Sequence, residues 1–268
     1  PGVDDLKKVV TPETKCLLLP NLIGNMPDWP AIREAFPNVI LFEDSADTIT
    51  HTPCTDISTT SFYASHVITA GGCGGMVMFN DEEHLKRALM FRDWGRIGDN
   101  IEEPSERFNH SVDGIPYDWK FLYGVAGYHL KACEMNAAFG LVQLDKLEGF
   151  LRKRRENVER YIDNLKDCPY YTLPDDSQIP NWLAIPFQCP DRLEIVNFLE
   201  ENDVQTRVTF AGNITRHPAF REYLGVFENA DKIMKDGFLL GAHHGLDIED
   251  VDRVCNLLKT FAATKVNA

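Results

Sequence analysis

Short apolar runs alternate with segments of helical period along the first half of the chain. Residues 14–20, TKCLLLP, are too short for an average helix and end on proline, so they predict a buried strand. Residues 27–36, PDWPAIREAF, predict a helix with Pro30 near its first turn. Val39 to Phe42 predicts a second strand that ends in Glu43-Asp44, and residues 58–63 and 76–79 predict two more around a glycine-rich loop. Asp81 predicts the cap of a helix from Glu82 to Arg92. Strands and helices in this order predict an α/β layer with a mostly parallel sheet. Residues 95–127 hold no sustained period, because Gly95, Gly98, Pro104, Gly114 and Pro116 interrupt it; a segment of this kind is usually functional or interfacial. A long helical pattern then runs from Ala132 to about Leu165, with a bend expected near Gly149. The remainder predicts a smaller α+β unit: a strand at 181–187, a helix at 191–201, a strand near 204–209, and helices at 228–237 and 247–262, the last capped by Asp247. This divides the chain into a larger unit, 1–148, and a smaller C-terminal one, 149–268.

Composition narrows the function classes. With 27 basic against 41 acidic residues the formal charge is −14, and no basic stripe offsets it, so no nucleic-acid partner is expected. The basic run Arg152 to Arg155 is expected to be a solvated helix face. No apolar run reaches about 18 residues, so no membrane span is expected. Seven cysteines, an odd number without a C-x-x-C pair, predict free thiols, a reducing compartment and a cytoplasmic location. They are not clustered, so no zinc or iron–sulfur site is expected.

Several residue types could carry chemistry. Asp44 closes an apolar strand in VILFEDSAD; a carboxylate there can pair with a protonated ring nitrogen, or simply form a strand-end turn. In SFYASHVITAGGCGGMV, Ser61 offers a hydroxyl, and the turn after it offers backbone N–H groups to an anion. His66 is a proton-transfer group or a satisfied core histidine. The four glycines that follow suit a tight turn but match neither dinucleotide nor P-loop spacing, and Cys73 among them is expected to be a packed thiol. His243 and His244 are adjacent and make a poor chelate, so structural or substrate-binding roles are expected, with no metal. Arg207 and Arg216 flank a loop holding Gly212 and Asn213, and could grip a phosphate or carboxylate or lie on the surface.

The stretches VILFEDSAD, SFYASHVITAGGCGGMV and GYHLKACEMNAAFGLVQLDKLEGFLRKRRENVERY together resemble the DegT/DnrJ/EryC1/StrS sugar aminotransferase family. The resemblance implies a fold type I, aspartate-aminotransferase-like α/β enzyme that uses pyridoxal or pyridoxamine 5'-phosphate. It implies that Asp44, Asp47, Ser61 and His129 bind the cofactor, Asp44 at the pyridine nitrogen and Ser61 at the phosphate. His66 stands where the aminotransferases carry their Schiff-base lysine. Histidine cannot form that covalent link but can move a proton, which makes it the catalytic base. The branch with histidine here resembles the NDP-4-keto-6-deoxyhexose 3-dehydratases, which expel the C3 hydroxyl of a nucleotide-linked keto-sugar. Arg207, Asn213, Arg216 and His244 are then expected at the substrate. The iron–sulfur type of the branch holds its cluster with cysteines that are absent between Cys73 and Cys133, so the iron-free type, recharged by glutamate, is expected. A homodimer with a shared active site follows from the same resemblance. So does an expectation that the family's large domain begins well before Pro1, leaving this chain alone with weak cofactor binding or none. The family usually has asparagine at the position of His129, and the loop at Cys73 is one residue longer than the common pattern. An aminotransferase-like enzyme with altered activity and an inactive structural or regulatory homologue are the rival readings.

Overall fold

The computed structural model describes residues 1–98, 101–175 and 182–266. After α1 (Val3–Lys7), β1 (Cys16–Pro20) leads to α2 (Trp29–Ala35) and β2 (Ile40–Asp44). Then come β3 (Ile57–Ser61), β4 (Gly75–Phe79) and α3 (Glu82–Arg92). The sheet order is β1-β2-β3-β4, with β1, β2 and β3 parallel and β4 antiparallel. The helices begin where side-chain acceptors stand ready: Asp28 takes the Ala31 N–H at 3.1 Å and Asp81 takes that of His84 at 2.9 Å. Strand alternation sends Leu17, Leu19 and Leu41 inward onto Leu6, Trp29 and Ile32, which form one buried core. The opposite face carries Leu18, Ile40 and Asp44, none of them buried.

The segment without a period contains α4 (Pro104–Arg107) and a hairpin of β5 (His110–Val112) and β6 (Ile115–Tyr117). Asp113 and Gly114 at its tip both have positive φ, 50° and 78°, as a two-residue hairpin turn requires. The expected long helix is two, α5 (Glu134–Leu144) and α6 (Leu147–Leu165). The break falls at Asp145-Lys146, where the Lys146 N–H turns to the Gln143 carbonyl at 3.1 Å and so leaves the four-residue ladder; Gly149 lies inside α6.

The C-terminal part contains β7 (Ala184–Gln188), α7 (Arg192–Glu201), β8 (Arg207–Val208), α8 (Glu228–Asp236), β9 (Gly237–Gly241) and α9 (Ile248–Val266). Asn181, the first residue of the expected strand, lies outside the described residues. The sheet is antiparallel in the order β7-β9-β8. Val158, Tyr161 and Leu165 of α6 close on Val251, Val254 and Leu258 of α9 in a second core. Arg154 shares that inward stripe, which corrects the expectation of a solvated basic face: it is 2% exposed, and its guanidinium donates to the Leu183 carbonyl at 3.0 Å. Burial pulls its pKa down to about 10. Cys73 is also corrected. It is exposed, because Gly71, Gly72 and Gly74 adopt positive φ and turn the loop outward. All seven cysteines are free.

Candidate active site

The adjacent carboxylates Glu43 and Asp44 have separate environments, because successive side chains of β2 point to opposite faces. Glu43 is fully buried and accepts from Asn21, Ser45, Thr50, Thr52 and Thr55. Burial alone would raise its pKa, but the donors, led by the Thr52 backbone N–H, outweigh that and leave it below the usual value. Asp44 stands at the strand's carboxyl end on the other face, where its Oδ1 accepts the Ala46 N–H at 3.1 Å and faces Thr59 Oγ1 at 3.5 Å. Thr59 pairs with Asp44 across the sheet, and Ser61, two positions on, shares that face. The Ser61 hydroxyl oxygen accepts the Tyr63 N–H at 3.3 Å.

Asp47 and His66 complete the group. His66 Nε2 lies 3.9 Å from Asp47 Oδ1, and the two side chains are 17% and 12% exposed. The other imidazole nitrogen, Nδ1, is buried with no hydrogen-bond partner. Burial pushes the Asp47 pKa up, the Ile23 N–H and His66 pull it down, Asp44 pushes it up again, and the net direction is upward. Asp47 therefore senses both Asp44 and His66 at the end of the parallel strands, the position where open α/β sheets bind ligands.

The remaining expected residues separate into those that face a cavity and those already engaged. A cavity of about 670 Å³ is lined by Ser65, Arg207, Phe210, His243, Asp250 and Arg253 among others, so it runs from the residue beside His66 to the second core. Arg207 is exposed there and donates to the Thr206 carbonyl at 2.7 Å. His243 lines this cavity; His244 does not, and instead stacks on Phe150 at 3.6 Å. Burial, then the Arg154 charge, lowers the pKa of both histidines.

Arg216 and Asn213 are held in a local network. Arg216 grips Asp231 through Nε and, at 2.9 Å, through a second nitrogen, while Asn213 is 2% exposed and donates to the same carboxylate at 2.8 Å. These contacts tie the loop after β8 to α8, and Arg216 keeps an exposed side chain while Asn213 is buried. His129 is exposed and stacks on Trp94 at 4.4 Å. Lys131 is engaged with Asp93 at 3.7 Å. Sequence reasoning missed Ile23, whose N–H holds Asp47; a left-handed conformation at a β-branched residue leaves no mark in the sequence. Among the described residues no group of three or more His, Cys, Asp or Glu could hold a metal ion, and no helix is long and apolar enough to cross a membrane.

Comparison with known proteins identifies the family and the fold. The pattern of the DegT/DnrJ/EryC1/StrS aminotransferase family matches residues 1–259. The lipopolysaccharide biosynthesis protein RfbH of Salmonella typhimurium is 32% identical, over 96% of this chain and 64% of its own length. The dTDP-4-dehydro-2,6-dideoxy-D-glucose 3-dehydratase of Saccharopolyspora spinosa is 32% identical, over 97% of this chain and 62% of its own. The chain thus spans less than two thirds of the length of these relatives. The crystal structure of a GDP-4-keto-6-deoxymannose-3-dehydratase with a trapped PLP-glutamate geminal diamine superposes with a TM-score of 0.82 at 25% identity, covering 96% of this chain and 70% of that one. The fold is that of the fold type I pyridoxal-phosphate enzymes.

Proposed function

The chain belongs to the DegT/DnrJ/EryC1/StrS aminotransferase family, and from that premise we propose that it serves the pyridoxamine-phosphate-dependent 3-dehydration of a nucleotide-linked 4-keto-6-deoxyhexose. The observation that carries this reading is His66, an imidazole beside the strand-end carboxylates, and the resemblance of SFYASHVITAGGCGGMV implies that it stands where the family's aminotransferases have lysine. The residues present suit the cofactor: a carboxylate and a hydroxyl share the face where the strands end, and an orphaned buried nitrogen of His66 lacks a partner. When bound, the cofactor supplies an amine for the sugar ketone and a ring that accepts electrons. Asp44 would hold the ring nitrogen in its protonated form, and Ser61 would hold the phosphate. His66 takes and returns a proton through its imidazole and makes no covalent tether, which favours elimination over ordinary amine transfer. Arg207, which lines the same cavity as Ser65, is a cation available to the substrate's charged groups. Residues 1–148 would form the cofactor wall, and 149–268 the unit that closes over it.

Glutamate as the amino donor is supported by the trapped adduct in the related dehydratase. A homodimer is supported by the apolar side chains that α5 leaves exposed, among them Met135, Leu141 and Val142. The free thiols support a reducing, cytoplasmic setting. The test is incubation of the protein with pyridoxamine phosphate, glutamate and a GDP- or CDP-4-keto-6-deoxyhexose, followed by mass spectrometry of the sugar. Loss of the C3 hydroxyl supports the proposal, and transfer of an amine to C4 with the C3 hydroxyl retained would overturn it.

A further inference from the structure

We propose that Asp47 is the positioning carboxylate of His66: it fixes the imidazole and stabilises the positive charge the ring gains with a proton. This rests on the reading of His66 as the base. Each Asp47 oxygen faces a different group. Oδ2 accepts the Ile23 N–H at 2.8 Å, and Oδ1 faces His66 Nε2 at 3.9 Å. That second separation is an ion-pair distance, of the kind that shortens when a site fills. The pair is largely shielded from water, which strengthens a charge–charge contact over its value in solvent.

The residue that holds Asp47 is unusual. Ile23 has φ 61°, a conformation that is strained for a β-branched side chain and persists only where surrounding contacts enforce it. Those contacts are visible. The Ile23 carbonyl accepts the Leu183 N–H at 2.8 Å, and its side chain lies in the second core. Asp47 is therefore placed by a peptide fastened to both halves of the molecule. The groups acting on its charge are the Ile23 N–H, His66 from the β3–β4 loop, and Asp44 from the end of β2. The resemblance implies that Asp47 binds the cofactor; the direction of Oδ1 toward His66, with Oδ2 held by Ile23, points to the base instead.

Two measurements test this. The first follows the Asp47 carboxyl carbon by NMR through an acid titration of the chain itself, with the signal assigned by its loss in Asp47→Asn. His66→Asn removes the positive partner, so the Asp47 midpoint moves up by about 1 pH unit; an unmoved midpoint overturns the pair. The second uses the cofactor-loaded enzyme. Asp47→Asn lowers kcat about 10²-fold while the KM for the sugar and the affinity for pyridoxamine phosphate hold within about twofold, and Asp47→Glu recovers part of the loss. Weakened cofactor binding with kcat intact at saturating cofactor makes Asp47 a cofactor ligand and overturns the proposal. A moved midpoint in a protein that dehydrates no sugar upholds the pair and sinks the dehydratase reading alone.

Discussion

Replacing Glu43 by glutamine tests whether the strand-end site stands on a buried anion. In the native chain Glu43 Oε1 accepts from Asn21 Nδ2 at 2.7 Å and from the hydroxyls of Ser45, Thr50 and Thr52 at 3.0–3.1 Å. Oε2 accepts the Thr52 N–H at 2.8 Å and the Thr55 hydroxyl at 3.2 Å. A glutamine amide has to place its NH₂ against one of these sets of donors. Hydroxyls can rotate away, as Thr55 does toward the Thr52 carbonyl at 2.8 Å, but the Thr52 N–H cannot. With the NH₂ on that side the Thr52 N–H is left unpaired, and with it on the other side it meets the Asn21 NH₂, whose amide is held in orientation by Trp29; either costs about 1–3 kcal/mol, and each remaining bond to a neutral oxygen loses roughly 1 kcal/mol of charge assistance. Glutamine avoids the cost of burying an ion, which offsets part of this. The net is a loss of about 3 kcal/mol, which lowers the melting temperature by about 6–12 °C for a unit of this size. Trp29 gives the signal, since it is 1% exposed and donates to Asn21 Oδ1 at 3.2 Å, inside the same network. The folded-state pKa of Glu43 lies below its unfolded value, so its contribution is complete above the unfolded value and disappears as pH falls through the folded one. The difference between wild type and Glu43→Gln should therefore be full at pH 7 and close under strongly acidic conditions. A variant that melts within 1 °C of wild type at about pH 7 would refute the argument.

His66→Asn should lower dehydration about 10²–10⁴-fold while leaving cofactor affinity unchanged, measured by turnover and by absorbance titration of the loaded enzyme; undiminished turnover would remove its role as base. Asn213→Ala should destabilise the loop after β8 by about 1–3 kcal/mol, because Asp231 and Thr215 both lose a buried partner; hydrogen exchange across residues 213–231 reads this, and native protection there would count against it. Gly95→Ala should cost at least about 3 kcal/mol, since the backbone has φ +93° and the new Cβ would lie 1.8 Å from the Val125 carbonyl oxygen; unfolding in urea measures it, and a shift below about 1 kcal/mol would mean the backbone relaxes.

Local order was legible in the residues themselves. Periodicity located β1 to β4, α2, α3, α7 and α9 to within a few residues, and the Asp81 cap fell where a side-chain acceptor precedes a helical run, because these features depend on neighbours a few positions away. The hairpin at 110–117 was also written there, as Asp-Gly between short extended runs, and was obscured by the glycines and prolines around it. The carboxylate at the end of β2 could be read in the same way, whereas local pattern left His66 open between a proton-transfer group and a core histidine, and its place came from the resemblance. What required the tertiary structure was the division of labour among similar side chains. Alternation says that Glu43 and Asp44 part company, but only packing shows which face is dry. Nothing local distinguishes Arg207, left at a cavity, from Arg216, paired with Asp231, or a buried Arg154 from the exposed arginine next to it. The link from His66 through Asp47 and Ile23 to Leu183 joins residues far apart in the chain. Such contacts exist only once the loop-closure entropy has been overcome by burial of two separate cores, so their partners are fixed by the whole fold rather than by any segment of it.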